Sequence, residues 1–135
     1  RHLVWEKLIA LKQDGITMLL STHYMDEAAR LCDRLVIMDH GAILAEGTPK
    51  DLIRLYVGGQ VVEMSSRVPN AGKVVRTASN RGLDVEEFGD TIYIFSPNEN
   101  DNPTALALEE EQVIVRSANL EDVFLRLAGR ELREE

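Results

Sequence analysis

The chain has 135 residues, enough for one ordinary domain or for part of a domain followed by a small second one. Its formal charge of −8 at pH 7 argues against binding to the phosphate backbone of nucleic acids or to an anionic membrane surface. A single cysteine excludes an internal disulfide, and no apolar run approaches the ~20 residues that a membrane-crossing helix needs. We therefore expect no direct membrane insertion, and any connection with a membrane to be made through a partner.

The first elements have the pattern of a parallel α/β sheet. Apolar residues within 2–14 recur at helical spacing, and Asp14-Gly15 predicts the end of that helix. The continuous apolar run at 16–20 predicts a short strand covered on both faces. A second helix is predicted next, because apolar residues with the spacing of one helix face follow, namely Met25, Ala28, Ala29 and Cys32.

A hairpin and a third helix are predicted after these elements. The strands at 35–39 and 42–46 are joined by His40-Gly41, which suits a two-residue turn because glycine accepts the positive φ that such a turn requires. Thr48 is predicted to cap the next helix, with Pro49 at its first position. This order of elements is the tail of an α/β sheet and is too short to be a complete one.

Gly58-Gly59 marks a predicted boundary between residues 1–57 and a second segment, residues 58–135. The order β-α-β-β-α-β followed by a helix predicts a ferredoxin-like sandwich for the second segment. Its predicted elements are a strand at 61–64, a helix at 71–80, a hairpin of strands at 84–88 and 91–95 across Gly89-Asp90, a helix at 103–110, a strand at 112–116 and a final helix capped by Asn119.

His23 is the candidate for chemistry. It lies between the predicted strand at 16–20 and the second helix, and ligands of parallel α/β sheets bind at such carboxyl ends of strands. A neutral imidazole there could exchange a hydrogen bond with a phosphate oxygen or with an attacking water. The alternative is that residues 21–23 only cap the following helix, and the spacing alone leaves both open.

The other residues of interest are predicted to be structural. Cys32 is expected in the core, and neither His2 nor His40 has a partner at a zinc-like spacing, so no metal site is predicted. Tyr93 and Phe95 share one strand face, as do the stacking pairs of RNA-binding sandwiches, but the acidic sequence around them favours core packing.

The segment from 19 to 49 resembles the H-loop and the following segment of ABC transporter ATPases. The similarity is to the exporter branch that includes drug, polysaccharide and lipid export systems. The C-terminal stretch at 119–132 also resembles the ending of that branch, whereas residues 58–118 resemble it only weakly. The matching positions of the first segment are His23, the acidic pair Asp26-Glu27, the pair Asp33-Arg34, the turn glycine Gly41 and the triplet Gly47-Thr48-Pro49.

This resemblance implies a fold and a role. The implied fold class is α/β, with a C-terminal remnant of a P-loop NTPase sheet at 1–57. The small α+β ferredoxin-like domain with its terminal helix at 58–135 is predicted from the order of its elements alone. By resemblance, His23 is the switch histidine, which contacts the γ-phosphate of ATP and helps to hold the catalytic water in position. The ligands implied for the full-length protein are ATP and Mg. The implied partners are a second ATPase subunit, most simply in a homodimer, and membrane-spanning permease subunits that hold the protein at the cytoplasmic face of the cell membrane.

The sequence contains no Gly-x-x-x-x-Gly-Lys-Ser/Thr phosphate loop and no Ser-Gly-Gly signature, both of which precede the H-loop in this family. The resemblance implies that the full-length protein couples ATP hydrolysis to export. Without these two segments, this chain alone is expected to be inactive and to bind no nucleotide. The alternative is a regulatory or dimerisation module of ferredoxin-like fold at 58–135, without catalytic activity.

The helical pattern that begins directly at Arg1 leads us to expect a chain cut from a larger protein. We then expect unpaired strand edges and apolar faces in residues 1–56, and a segment that is partly rearranged, dimerised or swapped with a neighbour. Trp5 is expected to pack on the sheet in the intact protein and to be exposed in this chain.

Overall fold

The computed structural model describes residues 2–96 and 113–129. Within these ranges the chain is a mixed α/β protein with two antiparallel sheets. The helices are α1 His2–Gln13, α2 Met25–Leu31, α3 Pro49–Tyr56, α4 Ala71–Asn80 and α5 Leu120–Ala128. The strands are β1 Leu35–Asp39, β2 Ala42–Gly47, β3 Gln60–Ser65, β4 Asp84–Phe88, β5 Thr91–Phe95 and β6 Val113–Ser117. The predicted helix at 103–110 lies outside the described residues.

The predicted strand at 16–20 is wrong. This segment is an irregular connection between α1 and α2, and the side chain of Leu19 is fully exposed. A strand that is covered on both faces needs hydrogen-bonding neighbours and a layer of side chains over each face. None of the strands in the described ranges pairs with residues 16–20, so the apolar side chains of this segment remain exposed to solvent.

Strands β1 and β2 form the predicted hairpin, in which Leu35 pairs with Gly47 and Asp39 with Ala42. The turn residues His40 and Gly41 have φ of 49° and 77°, and two positive φ values at the centre are the mark of a type I′ turn. One face of the hairpin is buried, whereas the other presents an exposed apolar surface, as expected for this segment. That exposed surface consists of Val36, Met38 and Ile43.

The second sheet has the strand order β4-β5-β3-β6, and every neighbouring pair is antiparallel. Because side chains of a strand alternate between faces, Val61 and Val62 of β3 enter different cores. Helix α4 covers the face that contains Val62, and helix α5 covers the face that contains Val61. The central strands of the sheet are therefore covered on both faces, whereas Ile114 of the edge strand β6 is exposed.

Helices α3 and α5 begin at the predicted caps. The hydroxyl of Thr48 accepts a hydrogen bond from the backbone N–H of Asp51 at 3.1 Å. The side chain of Asn119 accepts one from the N–H of Asp122 at 3.1 Å, and the Asp122 carboxylate accepts one from the N–H of Asn119 at 2.9 Å. This reciprocal pair is a capping box, which satisfies two backbone donors at the start of the helix.

The core under α5 draws on both sides of Gly58. Tyr93 and Phe95 lie in it as predicted, with their rings stacked 6.1 Å apart. Helix α5 also contacts α2 and α3, so the last helix packs against elements near the beginning of the chain. The residues of this core are Ile37, Ala45, Leu52, Val57, Val61, Tyr93, Phe95, Leu120, Val123, Phe124 and Leu125.

Candidate functional site

His23 lies on the exposed connection between α1 and α2, two residues before α2 begins. Its ring packs against that of Tyr24, with the ring centroids 4.2 Å apart. The hydroxyl of Thr22 accepts a hydrogen bond from the backbone N–H of Tyr24 at 3.0 Å and so shapes the entry to the helix. Tyr24 is the N-cap residue and its side chain makes no capping hydrogen bond, so Thr22 provides a contact from the 21–23 segment to the start of α2.

Trp5 anchors α1 to α2. Its indole is only 5% exposed, and Nε1 donates a hydrogen bond to Oε2 of Glu27 at 2.8 Å. The guanidinium of Arg30 lies 5.4 Å from the centre of the indole ring, within the range of a cation–π contact. The expectation of an exposed Trp5 is therefore wrong, because α2 covers the ring and supplies a partner for its N–H group.

Lys12 makes a second connection between the same helices. Its ammonium donates hydrogen bonds to the backbone carbonyl of Leu31 at 3.1 Å and to Oδ1 of Asp33 at 3.2 Å. The carbonyl of Leu31 is at the C-terminal end of α2, where a cation compensates the partial negative charge of the last carbonyl groups. Helix α1 therefore holds α2 near both of its ends.

The opposite side of α2 packs against the core under α5. Met25 and Ala28 are partly buried against that core, whereas Ala29 is exposed. Cys32 is half-buried at the end of α2, and burial raises the pKa of its thiol. A raised pKa lowers the thiolate fraction at neutral pH, which disfavours a nucleophilic role for Cys32.

A buried ion pair that the sequence did not reveal joins α5 to the sheet. The guanidinium of Arg116 binds both carboxylate oxygens of Asp122 at 2.7 and 2.8 Å, and its Nε donates to Glu63 at 3.0 Å. Chiefly through the hydrogen bond with Asp122, the two carboxylates raise the pKa of Arg116 above its usual range. The position of Asp122, three residues after Asn119, is that of a capping-box partner, but nothing in the sequence places Arg116 beside its carboxylate.

A second arginine, Arg126 of α5, joins three elements. It donates to Glu86 at 3.0 Å and to Asp84 at 3.1 Å on β4, and to the backbone carbonyl of Tyr56 at 2.9 Å. Its guanidinium also lies 4.6 Å from the ring centre of Phe95. A shallow cavity of about 350 Å³ adjoins these groups, but its arginine is already bound by protein carboxylates. The cluster therefore serves to hold α5 in place.

The described residues bring no three His, Cys, Asp or Glu side chains together in a way that could hold a metal ion. None of the helices in 2–96 and 113–129 has the length and hydrophobicity needed to cross a membrane. The predicted site residue, His23, is exposed to solvent just before α2, a helix that is supported by α1 and by the core under α5.

Comparison with known proteins agrees with the resemblance found in the sequence. Residues 72–129 match the family described as nodulation factor export protein NodI, C-terminal domain. The chain is 43% identical to the Nod factor export ATP-binding protein I of Mesorhizobium japonicum. The matched region includes 99% of this chain and 39% of the length of that relative. The chain is 39% identical to the proteins of that name in Rhizobium leguminosarum bv. viciae and Ralstonia nicotianae, covering 43% of each. The chain therefore spans about two-fifths of the length of these relatives. It is a homologue of the Nod factor export ATP-binding proteins and includes a match to their C-terminal domain.

Proposed function

We propose that the full-length protein that carries this chain is the nucleotide-binding subunit of an ABC transporter and couples ATP hydrolysis to export. The observation that carries the proposal is the similarity of 99% of the chain to proteins named as Nod factor export ATP-binding proteins. This similarity spans the His23 loop and both ends of the chain, rather than one short motif.

His23 is the switch histidine of the proposed site. Its imidazole contacts the γ-phosphate of ATP and helps to hold the attacking water. Two features support this role: the side chain is exposed, and the helix that follows it is anchored on one side by α1 and on the other by the core. A neutral imidazole has one donor and one acceptor nitrogen, so it can bind a phosphate oxygen and a water at once. The remaining contacts to ATP and Mg²⁺ belong to other parts of the full-length protein.

We also propose that residues 1–57 are the C-terminal remnant of a P-loop NTPase sheet and that residues 58–135 are an appended ferredoxin-like domain. The strand order β4-β5-β3-β6, with antiparallel pairs throughout and α4 packed on one face, supports the second assignment. The proposed partners are a second copy of the ATPase subunit and membrane-spanning permease subunits. These would keep the protein at the cytoplasmic face of the cell membrane.

The test is His23→Ala in the full-length protein. We expect the dissociation constant for ATP to stay within about threefold, because the other phosphate contacts remain, and kcat for ATP hydrolysis to fall by about 10²-fold or more. Isothermal titration and a phosphate-release assay measure the two quantities.

The matched control is His40→Asn, which changes another exposed histidine. Asn tolerates the positive φ of this turn position, so the hairpin should be retained and turnover should be normal. A His23→Ala protein with full turnover would contradict the proposed role, as would an equal loss of ATP binding and turnover.

A further inference from the structure

Helix α5 reaches the helix that carries the His23 loop. It contacts α2 directly, and Met25 and Ala28 of α2 pack against the core to which α5 contributes Leu120, Val123, Phe124 and Leu125. Met25 is only two residues after His23. A shift of α2 relative to α5 therefore moves the backbone from which the imidazole projects.

Helix α5 is itself held firmly to the second sheet. The Arg116–Asp122 pair joins its first turn to β6, and Arg126 joins its last turn to β4. The capping box fixes its start. A continuous set of packed and hydrogen-bonded elements thus runs from the sheet through α5 to α2 and the His23 loop.

We propose that α5 sets the position of α2 and thereby of His23, with Met25 and Ala28 as the positioning residues at the contact. Through this contact, the segment that contains the second sheet controls the rate of ATP hydrolysis. The proposal rests on the proposed role of His23. It adds that α5, nearly a hundred residues further along the chain, is needed for that role.

The substitution Ala28→Leu in the full-length protein tests the contact. Three additional carbon atoms at a partly buried position should push α2 away from α5. Because a displacement of about 1 Å by a change remote from the chemistry can cost about 10²-fold in rate, we expect kcat to fall roughly 10- to 100-fold. KM and the dissociation constant for ATP should be unchanged, since His23 is one of many nucleotide contacts.

Two control variants separate positioning from general damage. Ala29→Leu adds the same atoms to the neighbouring exposed position of α2 and should leave kcat unchanged. Ala28→Ser keeps the size of the side chain and should retain most of the turnover. Met25→Ala loosens the same contact by removing atoms and should lower kcat with KM unchanged, even if Ala28→Leu does not fold.

Trp5 provides a readout that does not depend on turnover. It is the single tryptophan of the 135-residue chain and packs on α2 through Glu27 and Arg30. A displaced α2 should expose the indole, so the fluorescence emission of the 135-residue chain should shift to longer wavelength in Ala28→Leu and not in Ala29→Leu.

The outcomes distinguish the two proposals. Normal kcat in folded Ala28→Leu and Met25→Ala proteins, together with a strong defect in His23→Ala, would overturn the positioning role of α5 alone. Normal kcat in His23→Ala would overturn the proposed function and the inference that rests on it. A selective loss of kcat in Ala28→Leu and Met25→Ala, accompanied by the change in Trp5 emission, is the result we expect.

Discussion

Asp122 is only 2% exposed, and its carboxylate accepts hydrogen bonds from Arg116 and from the backbone N–H of Asn119. Removing a carboxylate from water costs free energy, which is offset here by the bidentate contact with the arginine and by the capping contact. The Asp122 side chain thus caps the N-terminus of α5 and also attaches this helix to β6 through Arg116. Its loss should affect both connections.

Asp122→Asn should destabilise the chain by about 2–3 kcal/mol. The single amide oxygen cannot accept from Arg116 and from the Asn119 N–H as the two carboxylate oxygens do. The guanidinium, which is 26% exposed, loses its charged partner in α5 and keeps its contacts with Glu63 and with the backbone carbonyl of Ser117. The loss lies below the largest values known for buried ion pairs because Arg116 still reaches solvent. Urea unfolding followed by circular dichroism measures the change in the free energy of unfolding.

Glu121→Gln is the control for this prediction. Glu121 is the exposed acidic residue beside Asp122 in the first turn of the same helix, so its neutralisation should change stability by less than about 0.5 kcal/mol. Equal effects of the two variants would show that helix charge, rather than the buried pair, is responsible.

At the scale of elements, the β1–β2 turn depends on backbone conformation rather than on side-chain contacts. Gly41 has φ of +77°, and the space around it is open, so an added Cβ would clash with nothing outside its own backbone. The cost of a side chain there is the strain of the left-handed region. We expect Gly41→Ala to lower the free energy of unfolding by about 1–2 kcal/mol, measured by chemical denaturation.

Gly72→Ala provides a contrast of opposite sign. Gly72 lies in the first turn of α4 with no neighbouring atom within 4 Å of an added Cβ and without a positive φ. Alanine has the higher helix propensity and a smaller loss of backbone entropy on folding, so this variant should gain about 0.5–1 kcal/mol. If Gly72→Ala were destabilised as much as Gly41→Ala, the loss of stability at Gly41 could not be attributed to its positive φ.

At the scale of the whole molecule, the two segments share one of their two cores. The core under α4 consists of residues after Gly58, whereas the core under α5 also contains Ile37, Ala45, Leu52 and Val57. The proposed ferredoxin-like domain therefore has a core of its own, and a second face that is completed by residues from the first segment.

A chain of residues 58–135 should consequently be less stable than the 135-residue chain by several kcal/mol. Each large apolar side chain missing from the core removes about 1.5–3 kcal/mol, and whole domains have only about 5–15 kcal/mol of net stability. A lower melting temperature and binding of a hydrophobic dye are the expected observations. Equal melting temperatures of the two chains would show that the second segment folds independently.

Sequence patterns were sufficient where the determinants lie within a few residues of one another. The caps at Thr48 and Asn119 and the turn at His40-Gly41 were predicted correctly, because a cap or a two-residue turn is closed by the backbone of its near neighbours. The location of His23 immediately before a helix was equally local. Its resemblance to a switch histidine could be recognised for the same reason, since the motif is contiguous.

Tertiary structure decided every feature that depends on a distant partner. The run at 16–20 has the composition of a buried strand, but a strand forms only where another strand accepts and donates its hydrogen bonds. Trp5 is buried because Glu27 and Arg30, more than twenty residues away, cover its ring. Arg126 binds Glu86 forty residues before it, and α5 packs on α2 near the start of the chain. The sequence by itself therefore determined the caps, the turns and the identity of the candidate histidine. Packing of distant segments decided which apolar residues are buried and which helix supports that histidine, because burial is a property of neighbours that the local pattern does not contain.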